Sequence, residues 1–217
     1  LLSIRLGDKK DLEWAQETVT THHYLHQPVH RQARPIVYVI GYQRRQWLGL
    51  IMASLPHATK NKGWWGYEGL PTQWQVVDLC RVWLDPAIQS GGELARPGIV
   101  PGFVDRKGIF RPTVATWAIG KVLGSIQQDW VSSWPPVFPH LPYHVLLVIS
   151  YQDPAFHQKG TIYREAGAKA MYADEDGNPT PGPSGKYGWY WRLPEPAWSW
   201  QDIHIRRPRT MRLQLDV

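Results

Sequence analysis

The apolar run from Val145 to Ile149 reads as a strand buried on both faces. A polar hinge follows it, Ser150 to Pro154, and then a short helix from about Lys159 to Glu165, stopped by Gly167. A second strand, Ala168 to Tyr172, comes next. Earlier in the chain, Leu2 to Leu6 alternates as a strand, and Asp8 or Asp11 caps a helix that runs to about Thr20. Pro35 to Ile40 and Trp47 to Ala53 read as a hairpin about a turn at Tyr42 to Arg45. Trp74 to Leu84, rich in β-branched residues, reads as a central strand. Pro112 to Trp130 is the main helix, with Pro112 at its first position. Gly120 and Gly124 are expected to let that helix approach a sheet. Gly188 to Leu193 is a further strand.

Segments without periodicity separate these elements. Residues 87–110 form a long Gly- and Pro-containing loop or insertion, and long loops in compact domains are often functional. Ser132 to Pro142 is a Pro-rich connection, and Ala173 to Tyr187 is a polar loop. Gly63 to Gly69 is a Gly/aromatic loop. Ile203 to Leu215 alternates basic and apolar residues, a basic strand at the C-terminal end. With no internal repeat and no obvious linker, 217 residues make one domain.

Composition narrows the classes. The formal net charge of +6 and pI of about 9.5 suit an anionic partner such as nucleic acid. Thirteen tryptophans exceed what one core needs, which leaves some as flat surfaces for stacking. Cys80 stands alone, so an internal disulfide framework is excluded and a reducing compartment fits. No apolar stretch of about 18 residues occurs, so no transmembrane helix is expected, and no signal peptide is visible.

The candidate chemistry clusters at three places. Thr21 to His30 holds four histidines, His22, His23, His26 and His30. Asp153 stands at the carboxyl end of the buried strand, and Tyr163 lies on the helix after it. Open α/β sheets bind ligands at that rim. On bland readings Asp153 caps a turn before Pro154, Tyr163 is a packed tyrosine, and the histidines are solvated.

The element order resembles the GNAT acyltransferase fold: an α/β (α+β) single domain with a central mixed, twisted sheet flanked by helices. The run from Val145 to Tyr172 is similar to the last core unit of that fold. Within the superfamily the chain most resembles the Mom proteins of Mu-like phages. The likeness rests on His23-Tyr24, on Arg81 to Pro86, on Asp153 in SYQDP and on Tyr163 in GTIYREAG, and it spans about residues 20–172. It implies conversion of adenine in double-stranded DNA to N6-carbamoylmethyladenine, protecting phage DNA from restriction in a bacterial cytoplasm. It implies Asp153, Tyr163, Tyr24 and His23 as catalytic residues. His23 and Asp153 would form a half-site for a metal, iron being the candidate.

The GNAT pyrophosphate loop is absent in its usual form. Arg106, Lys107, Arg111 and Thr113, before the main helix, offer charge for an acyl-CoA-type donor. Arg206, Arg207, Arg209 and Arg212 would track DNA phosphates, and Trp64 and Trp65 would stack on bases. The attached group is joined through CH2, not a carbonyl, so the fold does not name the donor. Two other readings stand beside this one: a GNAT N-acetyltransferase acting on a small-molecule or protein amine, and a non-catalytic DNA-binding domain. An exposed edge strand is a candidate surface for a homodimer.

Overall fold

A computed structural model describes residues 1–43, 45–56, 75–134, 144–156 and 160–195. Trp64, Trp65, Arg206, Arg207, Arg209 and Arg212 lie outside the described residues.

Seven strands form one mixed sheet: β1 (Ser3–Leu6), β2 (Ile36–Tyr42), β3 (Arg45–Ser54), β4 (Val76–Leu84), β7 (Leu147–Gln152), β8 (Lys169–Ala170) and β9 (Tyr187–Arg192). Their spatial order is β1-β2-β3-β4-β7-β9-β8. The β4–β7 pair is parallel and every other pair is antiparallel. A parallel pair needs a long crossover. Here the crossover holds a small hairpin, β5 (Gly102–Val104) with β6 (Phe110–Pro112), and the helix α2 (Val114–Ser133).

The two sheet faces explain the sequence pattern. On β2, Ile36, Tyr38 and Ile40 join the cluster with Val114, Ala118, Ile119, Val122, Ile126 and Trp130 of α2. The alternate residues Val37 and Val39 join Ala15 and Val19 of helix α1 (Lys9–His22). Because both faces are covered, β2 is apolar throughout instead of alternating. The same holds for β7, whose Val148 and Ile149 fall in different clusters.

Helix α1 starts on a capping box. Asp8 Oδ1 accepts from Lys10 and Asp11 N–H, and the Asp8 N–H donates to Asp11 Oδ2. Asp11 also receives two bonds from Arg5, at 2.6 and 2.9 Å, and one from Trp47 Nε1 at 3.0 Å. One buried carboxylate thus joins β1, α1 and β3, and these partners hold it well below the usual carboxylate range.

Helix α2 begins two residues later than its sequence suggests. Pro112 closes β6, and Thr113 is the N-cap residue without a side-chain capping bond. Gly120 and Gly124 are exposed, and a Cβ on either would meet open space, so they do not set the helix–sheet distance. Helix α3 (Thr161–Glu165) is a single turn entered through Gly160 at φ +65°.

Candidate functional site

The register of the central strands creates the site. Strands β4 and β7 pair only at Val76–Leu147, Val77–Val148 and Asp78–Ile149. Beyond that point β4 stays with β3 as far as Leu84, and β7 stays with β9 as far as Gln152. The two middle strands therefore part, and among the described residues the backbone edge of β4 that faced β7 has no strand partner from Leu79 onward. Ser150 Oγ donates to the Leu79 carbonyl at 2.9 Å and closes the apex of the opening. A bulge sits at the same place. Met52 pairs with Arg81 and Ala53 with Leu79, so Cys80 is the extra residue, and bulges of this kind re-aim side chains beside sites.

Two cavities meet at the opening. One, of about 830 Å³, runs along β4 from Leu79 to Pro86, with Ala115 of α2 and Gly160 to Tyr163 on its other side. The second, of about 610 Å³, is walled by the loop after α1, from Tyr24 to His30, and by Ser184 and Lys186 before β9. Tyr24, Leu79, Cys80, Arg81 and Tyr151 line both.

Asp78 is the titratable group at the apex. It lines the second cavity, and its Oδ1 is buried without a hydrogen-bond partner. Burial raises its carboxyl to about 7, against the opposing pull of Arg81 and Lys186. Tyr151 beside it is pushed up by burial first, then by Asp78. Tyr163 lies on the side of the first cavity, buried between Trp189 and Trp191, each 6.1 Å away between ring centres. Burial raises its hydroxyl to about 12, so it stays protonated and can donate at neutral pH.

His23 is buried and packs on Tyr24 with ring centres 4.3 Å apart. The Leu25 N–H donates to His23 Nδ1, which leaves Nε2 as the ring's other polar atom. Burial, helped by the charges of Arg81 and His26, lowers it to about 4, so the ring is neutral through the physiological range. Arg81 anchors the loop to the strand, donating from Nη1 to the Cys80 carbonyl and from Nη2 to the Gln27 carbonyl.

The residues singled out from sequence divide accordingly. His23, Tyr24 and Tyr163 come together on the first cavity, with Arg81 among them. Asp153 lines neither cavity. It ends β7, accepts the Ala155 N–H at 3.0 Å and lies 3.5 Å from Lys186 Nζ. That is the geometry of a turn-capping aspartate. The half-site of His23 and Asp153 read from the sequence gains no third His, Cys, Asp or Glu among the described residues, and Asp153 faces the Ala155 N–H and Lys186. Among the described residues no group of three or more His, Cys, Asp or Glu could hold a metal ion.

Arg106 and Lys107 sit at the exposed tip of the β5–β6 hairpin, and Arg111 is paired with Asp105 at 2.9 Å; none of the three lines either cavity. Thr113 is the N-cap residue of α2 without a side-chain capping bond, and the first turn of α2 reaches the first cavity through Ala115. The residue that sequence reasoning missed is Asp78. Its only signal was an acidic residue among the apolar residues Val76 to Cys80.

No family model matches the chain, and no curated protein matches it in sequence. Solved structures do. An aminoglycoside acetyltransferase, AAC(6')-Ib, in complex with coenzyme A and kanamycin is 14% identical, with a TM-score of 0.50 over 88% of this chain and 95% of that one. The spermidine/spermine N-acetyltransferase SpeG from Vibrio cholerae is 10% identical, with a TM-score of 0.47 over 88% and 95%. A GNAT-family acetyltransferase from Staphylococcus aureus Mu50 is 8% identical, with a TM-score of 0.44 over 89% and 100%. Among the described residues no helix is long and apolar enough to cross a membrane. The parted central strands, the crossover helix beside the opening and the match to the aminoglycoside acetyltransferase agree: the chain has the fold of the GNAT acetyltransferases.

Proposed function

We propose that this chain is a transferase that modifies an amine, with the donor in the cavity along β4 and the acceptor in the cavity that holds Asp78. The observation that carries this reading is Asp78, a half-buried carboxyl with one oxygen buried and unpaired, raised to about 7 at the junction of two cavities. A base with that pKa is half-ionised near neutral pH, where a general base works best.

The chemistry follows from placement. An acyl-CoA-type donor supplies a thioester whose carbonyl carbon accepts the amine nitrogen. The parted edge of β4 offers backbone groups to the donor, and the first turn of α2, uncapped by Thr113, offers N–H groups to its phosphates. The amine nitrogen bonds to the carbonyl carbon as Asp78 takes its proton. The carbon–sulfur bond then breaks, and Tyr163 is suited to return a proton to the sulfur. Arg81 stays beside Asp78 and stabilises the carboxylate once it is ionised.

A second observation favours a particular acceptor. His23, Tyr24, Arg81 and Tyr163, the residues of the Mom resemblance other than Asp153, share one aromatic cavity. Tyr24 and Tyr151 line both cavities, so they also give the acceptor cavity aromatic walls, which suit a base taken out of the stack. The finer reading is that the amine is the exocyclic nitrogen of adenine in DNA; there the new bond is to a CH2 carbon of an unnamed donor, so the thioester step does not apply and only proton removal by Asp78 carries over. The testing experiment presents purified chain with acetyl-CoA and, separately, an aminoglycoside, a polyamine and duplex DNA, and follows thiol release. Amine-dependent release that is lost in Asp78→Asn supports the reaction class. Release unaffected by Asp78→Asn refutes the role of Asp78.

A further inference from the structure

The β5–β6 hairpin has no part in either cavity, yet it is built with care. Asp105 accepts N–H bonds from Lys107 and Ile109, both at 2.9 Å, and one from Arg111 Nε, also at 2.9 Å. Gly108 takes the left-handed conformation, φ +76°, that this turn requires. The scaffold neutralises Asp105 and leaves Arg106 and Lys107 at the tip, exposed and without an ion-pair partner among the described residues.

Beside them stand Phe103, Val104 and Ile109, exposed by 55%, 60% and 47%. Among the described residues the other exposed large apolar side chains are Leu1 and Trp47, so three of those five fall on this one hairpin. A rigid ribbon that shows apolar side chains next to two free cations is matched to a partner with both anionic and apolar surface. Duplex DNA is such a partner, with phosphates along each groove and base steps between which apolar side chains can wedge. The location agrees. Pro112 ends the hairpin and Val114 opens α2, whose Ala115 lines the first cavity, so a duplex held by the hairpin lies beside the site.

We infer that the β5–β6 hairpin is a duplex-DNA docking element, with Arg106 and Lys107 on phosphates and Phe103 and Ile109 against the groove or a base step. This rests on the DNA reading of the acceptor. The test is fluorescence anisotropy of a labelled duplex with wild type, with an Arg106→Ala/Lys107→Ala variant and with Phe103→Ser, each across a salt series. Asp105 and Gly108 are untouched, so the turn is kept, and circular dichroism checks the fold.

Removing two phosphate contacts lowers the slope of log K against log salt by about 1.8, and affinity near 0.1 M salt falls about 60-fold. Phe103→Ser weakens binding with the slope unchanged. Wild type that binds DNA while the double variant binds with the same slope overturns the hairpin's role and leaves the DNA reading standing. Wild type that leaves duplex unbound at low salt overturns both. Binding of wild type, but not the double variant, to vesicles containing an anionic lipid, with no DNA binding, reassigns the hairpin to a membrane surface and overturns the inference.

Discussion

Asp78→Asn should make the protein more stable and less active at the same time. The wild-type carboxyl moves from an ordinary 3.8 to about 7 on folding. At 1.36 kcal/mol per pH unit this corresponds to about 4 kcal/mol against keeping Asp78 ionised in the fold. The carboxyl opens toward the second cavity, and water there relaxes part of the cost, so this value is a ceiling. The sign follows from proton counting. Between pH 4 and pH 7 the folded state holds a proton that the unfolded state has lost, so stability falls as pH rises. About 3 kcal/mol of that fall lies between pH 5 and pH 8. Asparagine keeps the shape and has no proton to lose. Urea unfolding of both proteins at pH 5 and pH 8 isolates the effect, because every other titrating group cancels in the comparison. The variant should match wild type near pH 4 and exceed it by up to about 4 kcal/mol at pH 8. Parallel stability curves for the two proteins would refute the buried-carboxyl argument, and with it the base assigned to the site.

Other perturbations read other parts of the structure. Tyr163→Phe should lower kcat about 100-fold with little change in KM or in melting temperature, since only the proton donor is removed; steady-state kinetics beside a thermal melt checks this. Asp11→Ala removes the partner of Arg5, Trp47 Nε1 and the Asp8 N–H, and should cost about 2–3 kcal/mol in urea unfolding at pH 7. Because the Asp11 pKa is depressed in the fold, its contribution is present above pH 4 and is lost as pH falls, so the gap between wild type and variant should narrow in acid. Gly160→Ala places a Cβ against Gln152 Oε1 and the Trp189 ring at φ +65°, and should cost about 2–4 kcal/mol, seen as a lower urea midpoint.

Much of the scaffold was legible in the chain, for reasons that stay local. The apolar runs of β2 and β7 announce strands covered on both sides, and Gly167 ends α3 where the sequence says it must. Asp8 caps α1 with Asp11 completing the box, so both candidate capping residues take part. The misreadings come from contacts that local pattern cannot encode. Pro112 is suited to a helix start, yet Phe110 to Pro112 pairs with Gly102 to Val104 and shifts the helix by two residues. Part of the supposed loop at residues 87–110 is that rigid hairpin and a short 3-10 turn at Pro86–Ile88. His23, Tyr24 and Tyr163 were visible because their residue types carry chemistry at any address. Asp78 was not. Its meaning comes from being the last residue of β4 that pairs with β7, which is fixed by where two distant segments stop pairing. The sequence position of Asp153 likewise says that it ends a strand, but not that Ala155 and Lys186 occupy its oxygens.

The central claim is that Asp78, at the junction of the cavities, serves an amine-modifying reaction whose acceptor is adenine in DNA. It is tested most directly by mass spectrometry of nucleosides digested from DNA of bacteria that express the chain, beside Asp78→Asn and Asp153→Asn. The account predicts a deoxyadenosine species about 57 Da heavier for wild type, retained in Asp153→Asn and absent from Asp78→Asn. A species about 42 Da heavier would keep the role of Asp78 and change the transferred group to acetyl. Unmodified DNA from well-folded wild type would contradict the adenine acceptor, and modification that survives in Asp78→Asn would contradict the base.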